Sequence, residues 1–321
     1  TLRMKNTASG VLALDTSNYT TSVAVVNRSE CILLDQREIL KVKQGERGLR
    51  QSHALFQHMQ NLPILLERCF QTFPASEIAA VAVSDKPRQV EGSYMPVFTA
   101  GLSFGKTLAA ALEVPLFRFS HQEGHLAAGA YGSHIDINNN FLAFHLSGGT
   151  TELLHVKAGE IKKLGGTKDL SFGQVIDRIG VLSGLGFPAG SEMDMLASAC
   201  HDPAEIILKP VHFQGLDINL SGLETQIERW INSHSPERVN ICCQLFKTIA
   251  EALIKWSEKA MSQTGCSEIL YTGGVASSSY IRSKVEEHFH GRQCRIVFGK
   301  PSLSSDNAVG IGLLGVKALW Q

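Results

Sequence analysis

A chain of 321 residues, 44% of them hydrophobic, can bury a sizeable core, and its length favours two lobes over one. Lys+Arg and Asp+Glu each number 30, so the formal charge is zero; the basic signature of a free-standing nucleic-acid binder is excluded, leaving room only for a local basic patch. The seven cysteines form no C-x-x-C pair, which argues against a disulfide framework or a cysteine–zinc site and for reduced thiols in a cytoplasm.

Residues 1–10 lack the apolar core of a signal peptide and read as a loose leader, and no apolar run reaches membrane-span length. Residues 10–26, "GVLALDTSNYTTSVAVV", predict strand, polar turn, strand, and 31–39 a third strand. A helix follows over 51–70, with Leu55, Met59, Leu62, Leu65 and Leu66 on one face and Pro63 marking a kink or break. A short buried strand over 78–87, a helix over 98–114 and a strand over 115–120 lead into "SHQEGHLAAG" (120–129). The opening pattern then returns. Residues 141–167 read as strand, Gly/Ser/Thr turn, strand and a third strand, echoing 10–39 in shape. Helical segments fill 171–200, broken near "GLGFPAGSE", and 239–263. Residues 268–289 are strand, Gly-Gly turn, helix; 294–301 is a strand; and 304–319 is a helix capped by Ser304, Ser305 or Asp306.

Two hairpins with hydroxyl- and glycine-rich turns in corresponding places present backbone N–H groups to an anion and point to a nucleotide cleft. With the α/β alternation they suggest the duplicated sugar-kinase/Hsp70/actin architecture. "AGLSFGKT" (100–107) is one residue too short for a P-loop and lies inside a helical pattern, where small residues serve packing.

His121 and His125, four apart on a helix, share one face and can bridge one metal ion; the alternative is a pair of surface or capping histidines. A zinc-protease motif needs Glu directly after the first His. That position is Gln122, so the protease reading fails on spacing. Asp306 is either the cap of the closing helix or a carboxylate returned to the cleft. Gly273 and Gly274, between strand and helix, suit phosphate or ribose oxygens, or else a tight turn. Asp177 is a solvated helix charge or a contact for ribose hydroxyls.

Taken in order, "LALDTSNYTTSVAV", "HQEGHLAA", "LSGGTTELL", "GQVIDRIGVLSGLGFPAG", "LSGLETQI", "LYTGGVASSSYIR" and "SSDNAVGIG" resemble the TsaD family over nearly the whole chain. That family transfers the threonylcarbamoyl group in tRNA modification and was once catalogued as an O-sialoglycoprotein endopeptidase, or glycoprotease. The resemblance implies a two-lobed actin-like ATPase fold, with lobes of 1–117 plus 305–321 and of 118–304. It implies a divalent metal (iron or zinc, with magnesium as a further option) on His121, His125 and Asp306, and His145 as an additional candidate ligand. Ser147, Gly148 and Gly149 match the catalytic turn, and Asp177, Gly190, Gly273 and Gly274 match nucleotide- or substrate-binding positions. The implied ligands are an adenine nucleotide, ATP or an acyl-AMP such as threonylcarbamoyl-AMP, and the adenine beside the tRNA anticodon. On a neutral chain tRNA binding needs a partner's help. Other subunits of a tRNA-modification complex, or a second copy in a homodimer, are the expected partners, in the cytoplasm and away from membranes.

The chain also departs from that pattern. Two acidic residues of the first turn are Tyr19 and Thr20 here, and a Gly-Pro-Gly loop is replaced by 84–96. Thr150 follows Ser-Gly-Gly where His or Asn is usual, Gln174 replaces a glutamate, Glu224 a lysine, and Ser278 or a neighbour an asparagine. These changes point to a divergent paralogue that keeps the metal triad, with carbamoyl transfer to another acceptor or a non-catalytic nucleotide-binding partner role as alternatives to tRNA modification.

Overall fold

Every residue of the first strand, β1 (Gly10–Asp15), is buried, so this strand must lie inside a sheet covered on both faces. The computed structural model describes residues 9–17, 19–42, 49–200 and 208–321; the expected leader, except for Ser9 and Gly10, lies outside them. The chain divides into two units, Thr1–Tyr131 with Ser305–Gln321, and Gly132–Ser304.

In the first unit β1 joins β2 (Thr20–Asn27), β3 (Ile32–Ile39), β4 (Ile78–Lys86) and β5 (Leu116–Ser120) in the order β3-β2-β1-β4-β5. The hairpin pairs β3-β2-β1 are antiparallel, and β1-β4-β5 run parallel. Side-chain alternation sorts the two faces. Leu12 and Leu14 enter the core with Leu62 and Leu65 of α1 (Gln51–Thr72) and Ala109 of α2 (Phe98–Leu112). Val11 and Ala13 face glycines of the closing helix on the other side.

The second unit repeats this plan. Its strands β6 (Asn140–Leu146), β7 (Thr151–Lys157), β8 (Glu160–Gly166), β11 (Glu268–Thr272) and β12 (Arg295–Phe298) are ordered β12-β11-β6-β7-β8. Again a three-stranded antiparallel ribbon meets two parallel strands. A small hairpin, β9 (His212–Gln214) and β10 (Asp217–Asn219), stands apart from this sheet. Its core holds Phe144 stacked on Tyr271, with Trp256 against the edge of Phe144. The helices are α4 (Phe172–Leu182), α5 (Gly190–Ser198), α6 (Ser221–His234), α7 (Arg238–Thr264) and α8 (Ser279–Phe289), while α3 (His121–Ala130) and α9 (Val309–Trp320) belong to the first unit.

The structure corrects several expectations. Helix α1 runs unbroken through Pro63, because the hydrogen bond that proline forfeits faces solvent while Leu62, Leu65 and Leu66 anchor the helix. Its buried face is turned to Ala54, His58 and Cys69, leaving Met59 exposed. The first unit extends to Tyr131 rather than to 117, because β5 pairs with β4 and α3 packs on α9. Helix α6 and the β9–β10 hairpin were not expected. The closing helix starts at Val309, later than the expected caps.

Candidate metal centre and glycine-rich turns

Strand β5 passes into α3 without a loop. The Ser120 side chain accepts from Glu123 N–H, and the Glu123 carboxylate accepts from Ser120 N–H at 2.6 Å. This capping box fixes the first turn of α3 and commits one oxygen of Glu123 to the Ser120 backbone. His121 and His125 then project from one face, their ring centroids 4.3 Å apart. Gly124 between them is a packing residue. A Cβ there would meet Ile311 of α9, and a Cβ on Gly310 would fall 1.8 Å from the Gly124 carbonyl oxygen. The two helices cross backbone to backbone, and only glycine permits it.

That crossing brings Asp306 to the histidines. The α9 start is capped by Asn307, whose Oδ1 accepts from Val309 N–H at 3.0 Å and Gly310 N–H at 3.4 Å. Asp306 is therefore released from the capping role. Its Oδ1 lies 3.2 Å from His125 Nε2 and 3.4 Å from His121 Nε2. The other ring nitrogen of His121 is 2.9 Å from Asp15 Oδ2.

Electrostatics follow from this packing. Burial would lower the pKa of His121, but the charge and hydrogen bond of Asp15, joined by Asp306, push it up to about 10. Burial would raise Asp306, yet its close approach to His121 and His125 holds it well below the usual carboxylate range. Asp15 is likewise lowered, its burial outweighed by His121 and Ser17.

The donor set fits a divalent ion. His121, His125 and Asp306 form the group of possible metal ligands among the described residues, with donor atoms within 4.8 Å of one another. Ligands about 2.0–2.1 Å from a tetrahedral ion stand roughly 3.3–3.4 Å apart, close to the separations found. His121 Nε2 is buried without a hydrogen-bond partner, the state expected of an atom meant for a metal. Imidazole and carboxylate together suit iron or zinc. His145 is not in the group: it lies on β6 of the second unit, in register with Glu152 and Thr272.

The turn after β6 closes on itself, Ser147 N–H donating to the Thr150 carbonyl at 2.8 Å and Thr150 N–H to Ser147 Oγ at 3.0 Å. Gly148 and Gly149 are exposed with open space where a Cβ would sit, so no packing demand explains these glycines. Gly273 differs: its φ is +99° and a Cβ would collide with the Leu146 carbonyl, so it is a packing glycine, whereas Gly274 faces open space. Asp177 accepts from Ala189 N–H at 2.8 Å, tying α4 to the segment before Gly190. One oxygen of Asp177 thus holds backbone, a role the sequence reading did not give it.

Internal acids fill two helix starts. Asp194 of α5 accepts from Ser278 Oγ, Ser279 N–H and Tyr280 N–H at the head of α8. Asp169 accepts from Leu220 and Ser221 N–H at the head of α6. The helix start after Gly273–Gly274, read as suiting phosphate or ribose oxygens or else a tight turn, holds a carboxylate. Glu224 pairs with Arg178 at 3.2 Å. Sequence reasoning missed Asp15 and Asp194. Asp15 ends a wholly apolar strand, but its partner His121 lies 106 residues away in sequence.

The sheet order repeated in both units is that of the actin-like ATPase and sugar-kinase fold. A HypF structure from T. kodakarensis matches with a TM-score of 0.64 at 13% identity, covering 98% of this chain, which spans 48% of that one. A ROK family glucokinase from Streptomyces griseus matches with a TM-score of 0.52 at 9% identity, covering 95% of this chain and 98% of that one. The profile described as TsaD, tRNA N6-adenosine threonylcarbamoyltransferase, matches residues 36–313, and the chain belongs to this family of transferases. A relative from Bdellovibrio bacteriovorus bearing that name is 28% identical over 322 residues, 95% of this chain and 91% of its own length.

Proposed function

We propose that this chain is a divalent-metal-dependent transferase that moves a threonylcarbamoyl group from its adenylate to the adenine beside the tRNA anticodon. The observation that carries the metal dependence is the buried, unpartnered His121 Nε2 facing Asp306 beside His125. His121, His125 and Asp306 hold the ion. When bound, it supplies positive charge for the acyl and phosphate oxygens of the donor. The open Gly148 and Gly149 turn offers backbone N–H groups to an anion, with Ser147 bracing the turn through Thr150. Gly274 leaves room for the nucleoside, Asp177 holds the segment leading to Gly190, and α8, headed by Asp194, takes no phosphate. Among the described residues no helix is long and apolar enough to cross a membrane. We place the reaction in the cytoplasm, with partner subunits or a second copy assisting a neutral chain on tRNA.

The test incubates metal-reloaded protein with threonylcarbamoyl-AMP, tRNA and a full set of family partner subunits. Modified adenosine, absent in His125→Ala, is the supporting result. No product with metal bound overturns the tRNA assignment.

One observation favours a second reading. Glu224, where the family resemblance implies a lysine, is spent on Arg178, which neutralises one cation of the second unit. This suits carbamoyl transfer to an acceptor other than tRNA, tested by screening small acceptors with carbamoyl-AMP. Absence of metal together with a stable complex on size-exclusion chromatography would instead support a non-catalytic nucleotide-binding partner.

A further inference from the structure

Asp15 stands outside the donor group yet is committed to it. Its side chain is 1% exposed, at the end of β1. Oδ1 accepts from Ser17 N–H at 2.8 Å, which fixes the plane of the carboxylate. Oδ2 lies 2.9 Å from His121 Nδ1. An ionised carboxylate only accepts, so Nδ1 is the nitrogen that carries hydrogen. Of the two neutral tautomers of His121, the one compatible with Asp15 leaves the Nε2 lone pair facing Asp306 and His125. The same buried acid adds a second negative charge to that of Asp306. One buried and one partly buried carboxylate balance a dication, whereas a trivalent ion would leave charge uncompensated.

We propose that Asp15 is the positioning residue of the metal centre, holding His121 in the metal-binding tautomer and setting the preference for a divalent ion. This inference rests on the metal reading above. Asp15 makes no bond to the ion: it acts through His121, as outer carboxylates behind metal-bound imidazoles do.

The test compares metal-free wild type, Asp15→Asn and Asp15→Glu, each checked for folding by circular dichroism. Zinc affinity is measured by competition with a chromophoric chelator, and the site is read from the visible spectrum of the cobalt(II) form. Asp15→Asn is expected to bind zinc about 10–100-fold more weakly with an altered cobalt spectrum, and Asp15→Glu to recover part of the loss. Equal affinity and identical spectra in wild type and Asp15→Asn would overturn the inference while leaving the metal reading standing. Failure of wild type to take up zinc would overturn both. Should the variants not fold, nitrogen NMR of histidine-labelled wild type decides alone. Zinc on Nε2 with Nδ1 protonated supports the role, and zinc on Nδ1 of His121 overturns it.

Discussion

Gly310 crosses Gly124 so closely that a single methyl group on Gly310 would overlap the Gly124 carbonyl oxygen. The contact holds α3 against α9 and so holds His121 and His125 against Asp306. Gly310→Ala is expected to cost about 1–3 kcal/mol, as overpacking does, and to lower metal affinity as well. Urea denaturation of the metal-free protein and metal analysis measure the two effects. Full stability would show that the helices part freely.

His125→Ala removes one of three donors and should abolish near-stoichiometric iron or zinc while leaving the fold in place. Inductively coupled plasma mass spectrometry of protein purified without chelator reads this directly. Equal metal in mutant and wild type would place the ion elsewhere.

Metal uptake should release a proton. Against the effect of burial, Asp15 and Asp306 push His121 up to about 10, so it should be protonated at pH 8 without metal, and a ligand imidazole must surrender that proton. Calorimetry in two buffers of different ionisation enthalpy should report close to one proton at pH 8, with the release fading above pH 10. No release at pH 8 would contradict the charged ring.

Asp169 heads α6. Its pKa falls from 3.8 to about 2 because backbone N–H groups of Leu220 and Ser221 outweigh its partial burial. A depressed carboxylate contributes stability above its unfolded value and loses it as pH falls toward the folded one. Asp169→Ala should therefore cost about 1 kcal/mol at pH 7, as a lost cap does. The difference from wild type should shrink between pH 4 and pH 2, followed by urea titration at each pH.

Asp194 occupies the head of α8 as a phosphate would. Asp194→Ala should lower the melting temperature, and added inorganic phosphate should restore part of the loss in the variant while leaving wild type unmoved. Phosphate without effect on the variant would mean that the vacated helix start is not an anion seat.

The histidine pair was legible because helical spacing alone puts His121 and His125 on one face. Asp306 was half legible: the resemblance implied a ligand, while its position suggested a cap, and it is the neighbouring Asn307 that takes the capping role. Asp15 was not legible, since its partner lies 106 residues away and no local pattern marks it. Both sheets could be read from their apolar runs and turns. Strands of three residues such as His212–Gln214 carry too little periodicity to stand out, and α6, a helix with one buried edge, was equally quiet. Gly273 reads equally as a ligand contact or a tight turn, and the carbonyl of Leu146 beside it demands glycine in either case.

The division of the chain has a consequence for the order of synthesis. Gly132–Ser304 is one continuous stretch, whereas the first unit needs residues beyond 304 to supply α9, whose glycines seat on β1, β2 and β4. On the ribosome the second unit is complete while the first still lacks its central helix. The nascent chain carries His121 and His125 without the neighbouring carboxylate until Asp306 has been added. A released chain truncated after residue 304 would pair a foldable second unit with a first unit that lacks α9.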